Sequence, residues 1–307
     1  MTEVGIVECK DYNNVKESIE RSFELFGGLS SFIQRGDKVL IKPNLLAPPK
    51  KSDEPVTTDP DFIVAIVEII KDFGAKVILG DSPAFSTVPD ILKKIGIHDK
   101  LSNLGVRIIE FNRPINKYKS HSFDYAIQEY DKMINIPKLK VHCQLWLSLS
   151  VKNLFGCVTG KRKPLLHLVH GDKKNHFAEM LVKNYDKLKP CFTIIDAVDV
   201  MEKEGPRGGI PKRVGLIFSG IDCVAIDRVA SKVVGLDFEK HPVLKAARDL
   251  NVGEWRLEKI KIKGMNNIPS VNIDFPYMLP ISFSPYRVIK STIKNMLIKR
   301  RQRKVLT

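Results

Sequence analysis

Of the signals that would name a chemistry outright, this chain has almost none. Its five cysteines, Cys9, Cys143, Cys157, Cys191 and Cys223, are odd in number and far apart, and no Cys-x-x-Cys occurs. That spacing excludes an intrinsic iron–sulfur cluster or a zinc ribbon built from neighbouring ligands, and it fits a reduced compartment. Neither Gly-x-Gly-x-x-Gly nor a Gly-Lys-Ser/Thr phosphate loop is present, so no standard dinucleotide or P-loop site is expected. No apolar stretch approaches the ~20 residues that a membrane span needs. The first residues, Met1-Thr-Glu-Val-Gly-Ile-Val, run straight into a strand-like segment with no leader pattern, so the expected location is cytoplasmic. Acids are scarce in two places. There are none from Tyr286 to Thr307, and only Asp172 between Asn135 and His176.

What is present is an ordinary globular composition with an uneven charge. The 307 residues are 43% hydrophobic and 28% charged, enough for a sizeable core and against general disorder. The net charge is +15, but eight basic residues lie in 286–307, which leaves +7 on the other 285 residues. Residues 284–307 therefore read as a separate basic C-terminal helix or tail, with Ile289, Ile293, Met296 and Leu297 at helical spacing before Lys299-Arg-Arg-Gln-Arg-Lys304. Such a segment either docks on the domain with a frayed end or makes weak contact with anionic membrane or nucleic acid.

Through residues 1–283, strand-like and helical patterns alternate. Val4–Cys9, Lys38–Lys42, Lys76–Gly80, Val106–Phe111, Lys132–Ile136, Phe192–Ile195 and Val214–Phe218 read as strands. Val15–Phe26, a segment opened by Asp59-Pro60 and closed by Gly74, Val88–Ile95, Phe177–Leu188 and Asp222–Val234 read as helices, and Gln144–Gly156 is a further helical candidate. Strands separated by helices predict an α/β fold with a mostly parallel sheet and helices on both faces, as one domain or two interleaved lobes.

Open parallel sheets bind ligands beyond the carboxyl ends of their strands. The residues that follow these strands include Lys42 and Asn44, Asp81 and Ser82, Lys138, Lys140 and His142, and Asp196. A second group follows in the segment poorest in acid, Lys152-Asn153 with Gly156, then His167 and His170. Four of the seven histidines, His142, His167, His170 and His176, fall within 35 residues. Imidazole is both a proton carrier and a metal ligand near neutral pH, so His142, His167, His170 and Asp196 are candidates for a divalent metal. The surrounding lysines suit a phosphate or carboxylate better than a bare dication. The turn Glu202–Gly209 offers successive N–H groups at Gly208 and Gly209, which could also hold an anion.

Taken in order, these pieces resemble one family, the domain of unknown function 362. The carriers are Val39-Leu-Ile-Lys-Pro-Asn-Leu45, Thr57-Thr-Asp-Pro60, Val77-Ile-Leu-Gly-Asp-Ser-Pro83, Ile136-Pro-Lys-Leu-Lys-Val-His142, Ser150-Val-Lys-Asn-Leu-Phe-Gly156 and His167. Ile195-Asp196, Glu204-Gly205-Pro206 with Gly209, and Asp222-Cys-Val-Ala-Ile-Asp227 follow, so the resemblance spans roughly residues 35 to 255. It implies that Lys42, Asn44, Asp81, Lys140, His142, Lys152, Asn153 and His167 form one site. Members often occur with iron–sulfur ferredoxin segments, which implies a redox protein partner for some, and this chain has no such segment. A more distant likeness to nickel-dependent lactate racemases implies an α/β protein with a histidine-bearing cleft.

The expectation is an enzyme for a small anionic ligand. Lys42, Lys140 and Lys152 would hold charge, Asn44, Ser82 and Asn153 would orient the ligand, and His142 or His167 would move a proton beside Asp81 or Asp196. The rival is a non-catalytic accessory protein that binds a metal, cofactor or redox partner. Nucleic-acid binding by the domain itself rests on charge alone.

Overall fold

An apolar run such as Val39-Leu-Ile41, without polar alternation, suits a strand covered on both faces, and the protein is built around several of these. The computed structural model describes residues 1–51, 53–83, 86–111, 129–158 and 176–278, with a short ribbon pairing β5 (Pro114–Ile115) and β6 (Phe123–Asp124). Ten strands form one sheet: β1 (Thr2–Glu8), β2 (Lys38–Pro43), β3 (Lys76–Asp81), β4 (Arg107–Glu110), β7 (Lys132–Ile136), β8 (Lys138–His142), β9 (Trp146–Ser148), β10 (Phe192–Glu202), β11 (Ile210–Gly220) and β12 (Ile260–Lys263). Its main path runs β12-β1-β11-β10-β7-β2-β3-β4, with β8 paired to β10 and β9. Pairing is parallel except where β11 meets β1 and β10, and where β9 folds back on β8.

The helices cover both faces, as the sequence pattern implies. On one face α1 (Val15–Glu24), α2 (Pro60–Asp72) and α3 (Val88–Lys94) pack with Val39, Ile41, Leu79, Ile134 and Phe192. α4 (His98–Asn103) follows α3 and buries Leu101 there. On the other face lie α5 (Ser150–Asn153), α6 (His176–Leu188), α7 (Cys223–Val233) and α8 (Pro242–Asp249). They bury Leu40, Ile78 and Met133 towards one end, and Ile195, Ala197 and Phe218 towards the other. Asp59 caps α2 by accepting from the Asp61 N–H, with Pro60 in the first turn, and Gly74 at φ +95° ends it.

Two local readings are corrected. The helical candidate over residues 144–156 is instead the short strand β9, one helical turn in α5 and a 3-10 turn, Leu154–Cys157. The segment 138–142, read as polar residues beyond a strand, is itself a strand. Pro137 has no N–H, and its carbonyl accepts from the Asp196 amide at 2.9 Å, so the chain keeps its course beside β10 while parting from β2. β2 pairs with β7 as far as Pro43 opposite Ile136; beyond that point β8 has only β10 and β9 as neighbours.

Candidate functional site

That parting is also where the connections change direction. From β2 the chain proceeds to β3 on one side, and from β7 it proceeds, through α6, to β10 on the other. Parallel neighbours whose connections diverge leave a crevice beyond their carboxyl ends, the usual ligand position in such sheets. The loop after β2 crosses this space. Asn44 N–H donates to the Thr58 hydroxyl at 2.9 Å, and that hydroxyl donates to the Ile136 carbonyl at 2.7 Å.

Lys42, fully buried at the end of β2, forms an ion pair with Asp81 at the end of β3, Nζ to Oδ1 2.9 Å, and donates to the Pro43 carbonyl at 2.6 Å. Asp81 in turn accepts from the Ser82 and Leu45 amides at 2.7 and 2.8 Å. Asn153 of α5 reaches across, giving Nδ2 bonds to the Lys42 carbonyl (3.1 Å) and to Asn135 Oδ1 (2.8 Å). Its Oδ1 accepts from Asn44 Nδ2 at 3.1 Å. Gly156 closes over the ion pair: a Cβ there would lie 2.5 Å from both Cε and Nζ of Lys42, and closer still to Asp81 Oδ1. The glycine serves close side-chain packing, so its place in the motif has a steric cause.

Strand β8 alternates strictly. Leu139 and Val141 enter the core with Ile195 and Ala197, and Lys138, Lys140 and His142 share the opposite face, all buried. Lys140 Nζ donates to Asn44 Oδ1 at 2.7 Å and to the Val56 carbonyl at 2.6 Å. Burial lowers the Lys140 pKa well below the lysine range, and the Lys152 and Lys138 charges push the same way. Lys152, partly buried on α5, is lowered to about 8 by burial and by Lys42, against the opposing pull of Cys143 and Asp81. No hydrogen bond or ion pair engages Lys152 among the described residues. His142 Nδ1 accepts from the Gln144 amide at 3.1 Å. Cys143 beside it is raised, chiefly by burial, as expected of a small half-buried thiol.

The structure therefore gathers Lys42, Asn44, Asp81, Ser82, Lys140, Lys152 and Asn153, with His142 on the same strand face as Lys140. Asp196 belongs to an adjoining cluster. It pairs with Lys138 Nζ at 2.8 Å and accepts from the Tyr12 hydroxyl (2.9 Å) and the Asp59 amide (2.9 Å). Burial and the Asp196 charge raise Asp59 to about 7. The Gly208 N–H already has an anion of the protein's own, donating to Glu54 Oε1 at 2.8 Å, while Lys50 N–H takes Oε2 at 2.6 Å. Gly209 is packed against the Glu202 and Glu204 carbonyls and Met201. His167 and His170 lie outside the described residues, as does the 284–307 tail. Among the described residues no group of three or more His, Cys, Asp or Glu is arranged to hold a metal ion.

Sequence reasoning gave no role to three positions. Asn135 Oδ1 anchors Asn153, and Asn135 Nδ2 bonds the Ser150 carbonyl at 3.2 Å. Val56 supplies only its carbonyl, which no side-chain pattern reveals. Asp227, buried in α7, accepts from the Ser150 and Val151 amides at 2.8 and 3.1 Å, capping the turn that carries Lys152 and Asn153. The Asp227 motif was legible, but its partner lies some 77 residues away in the chain.

A family profile described as "Domain of unknown function (DUF362)" matches residues 39–232. The chain is 34% identical over 305 residues to the "Thylakoid-associated protein sll1697" of Synechocystis sp., covering 96% of this chain and 95% of that protein. Among solved structures, a lactate racemase apoprotein from Thermoanaerobacterium thermosaccharolyticum is similar at a TM-score of 0.46 and 12% identity, over 72% of this chain and 54% of that one. A protein from Thermotoga maritima is similar at 0.45 and 12%, over 67% and 55%. The chain thus spans about half the length of these two structural neighbours.

Proposed function

This chain belongs to the family described as domain of unknown function 362, and from that premise we propose an enzyme that binds a small carboxylate- or phosphate-bearing metabolite where its sheet divides. The observation that carries the reading is the convergence of Lys42, Lys140 and Lys152 at the ends of β2, β8 and α5, with Asp81 the only carboxylate bonded directly to any of them among the described residues. An ammonium has three donors. Lys42 and Lys140 each give two hydrogen bonds to the protein, whereas the donors of Lys152 are unused among the described residues. Asn44 and Asn153 spend their side chains fixing this set, so they act on a ligand through the lysines. His142 is the described candidate for moving a proton. It is also the described residue from which a divalent metal site with His167 and His170 would be built, although the surrounding lysine charge favours an anion over a bare dication.

Calorimetric titration at low ionic strength with inorganic phosphate, lactate and pyruvate tests this. At least one anion should bind the wild type, and K152A should weaken it by about tenfold or more, the worth of a charge-assisted hydrogen bond. Binding by none of them, or binding unchanged in K152A, overturns the reading. No described helix is long and apolar enough to cross a membrane. We place the chain in the cytoplasm, with the basic 284–307 segment touching anionic lipid at the membrane surface, a reading supported by the thylakoid association of the Synechocystis relative.

A further inference from the structure

The three lysines at the division of the sheet are not equivalent. Lys42 and Lys140 are locked by short bonds, the first to Asp81 and Pro43, the second to Asn44 and Val56. Lys152 is held only through its backbone. α5 is pinned at its start by Asp227, and the residue after Lys152, Asn153, is held by three hydrogen bonds, which together fix where the Lys152 stem begins. Its amine is partly exposed and engages no acceptor among the described residues. The groups around it are the Lys42 ammonium, the buried Lys140 amine, the Asp81 carboxylate already engaged by Lys42, and the Cys143 thiol.

A lysine in that setting binds an anion while charged and, once deprotonated, is a good nucleophile. Burial and the Lys42 charge disfavour its ammonium form, and the midpoint near 8 leaves a sizeable neutral fraction at physiological pH. Were the site built only to hold an anion, a carboxylate or amide partner keeping Lys152 charged would serve better.

We propose that Lys152 is a nucleophilic amine that condenses with the carbonyl carbon of a small 2-oxo carboxylate, whose negative charge is favoured by the buried Lys42 ammonium behind it. This rests on the anion-binding reading above and gives it a reaction class. The Lys152 nitrogen lone pair forms the C–N bond while the carbonyl π pair moves to oxygen. That oxygen takes the proton the nitrogen gives up, which yields a carbinolamine. Loss of the hydroxyl with the second nitrogen proton releases one water and leaves a C=N double bond. Nothing is oxidised or reduced. The bound imine then draws electrons from the adjacent carbon, as amine catalysis of 2-oxo acids requires.

The test uses the full-length protein with pyruvate as the probe and cyanoborohydride as the trap, followed by peptide mass mapping. A secondary-amine adduct should form on the peptide carrying Lys152 at least tenfold faster than on exposed lysines such as Lys189 and Lys261. The rate should rise with a midpoint near pH 8, and inorganic phosphate should suppress it. K152R, which keeps a cation but cannot form the imine, should bind pyruvate by calorimetry and show no adduct at that peptide. If pyruvate or phosphate binds at this site but Lys152 is not trapped, or is trapped no faster than the exposed lysines, the imine is overturned and the anion site stands. If nothing binds and nothing is trapped, both readings fall together.

Discussion

Gly156→Ala offers a sharp test of the packing at the division of the sheet, because two ordinary considerations predict opposite signs. Gly156 lies in the helical turn Leu154–Cys157 and its φ is not positive, so an alanine there should stabilise by roughly 0.5–1 kcal/mol on helical propensity alone. The structure predicts the reverse. The added methyl would sit 2.5 Å from Lys42 Cε and Nζ and against Asp81 Oδ1, where the pair is buried and neither partner has room to withdraw. Removing one partner of a buried ion pair costs about 3–5 kcal/mol. Here the pair is displaced while both charges remain, so a net loss of about 2–4 kcal/mol is expected. Urea denaturation followed by circular dichroism measures it, as a lower midpoint at unchanged slope. Gly96→Ala is the control: its Cβ would meet nothing within 4 Å, and it costs only the strain of φ +79°, about 1–2 kcal/mol. A Gly156→Ala variant as stable as the wild type, or more so, would refute the argument that this glycine exists to admit the Lys42–Asp81 pair.

The remaining predictions are briefer. Lys152 titrates at about 8 in the folded protein against 10.5 in the unfolded chain, so between those values the unfolded state holds more protons and stability rises with pH. Lys152→Met should flatten that rise and add on the order of 1–3 kcal/mol at pH 7, read by thermal melts from pH 7 to 10.5. Asp59 is raised from 3.8 to about 7, so the folded state holds its proton longer and stability falls as pH rises through that window. Asp59→Asn, which keeps the cap on α2, should gain about 1 kcal/mol at pH 8 and nothing near pH 4; a gain equal at both pH values refutes the assignment. Deleting residues 284–307 should abolish salt-sensitive binding to anionic phosphatidylserine-containing vesicles while leaving the melting temperature within a degree or two; retained binding would place the association on the domain.

How much of this was legible in the sequence depends on the range of the interaction. The fold class was, because hydrophobic runs and caps such as Asp59-Pro60 and Gly74 are local signals, and the central strand Lys132–Ile136 and helix α2 fall within a residue or two of where the pattern puts them. The approach of Lys42, Asn44 and Asp81 followed from strand order, since carboxyl ends of parallel neighbours meet; Asn153 was read from the Lys152-Asn153 pattern and the family resemblance, and Lys140 from a place beyond a strand that is in fact β8. Strand β8 was not legible. Lys-Leu-Lys-Val-His alternates like a half-exposed strand, and only distant partners, Asp196 for Lys138 and Asn44 with Val56 for Lys140, make burial of its charged face affordable. Asp196 was read with the others because it follows an apolar run, but β10 continues to Glu202 and turns that carboxylate towards Tyr12 and Lys138. The helix read over residues 144–156 failed for a similar reason: β9 needs β8 beside it, and β8 was unseen.

β12 has a further consequence. Residues 260–263 return to lie parallel beside β1, Ile260 opposite Thr2 through Lys263 opposite Gly5, so a late segment seals the border of a sheet that the first strand would otherwise leave bare. Trimming the polypeptide ahead of Ile260 would strip that seal and bare a row of backbone groups along Thr2–Gly5, beside the apolar Val4. Such a border recruits strands from other molecules. Shortened versions of this protein should therefore fail first by self-association, with the lysine-lined crevice still intact.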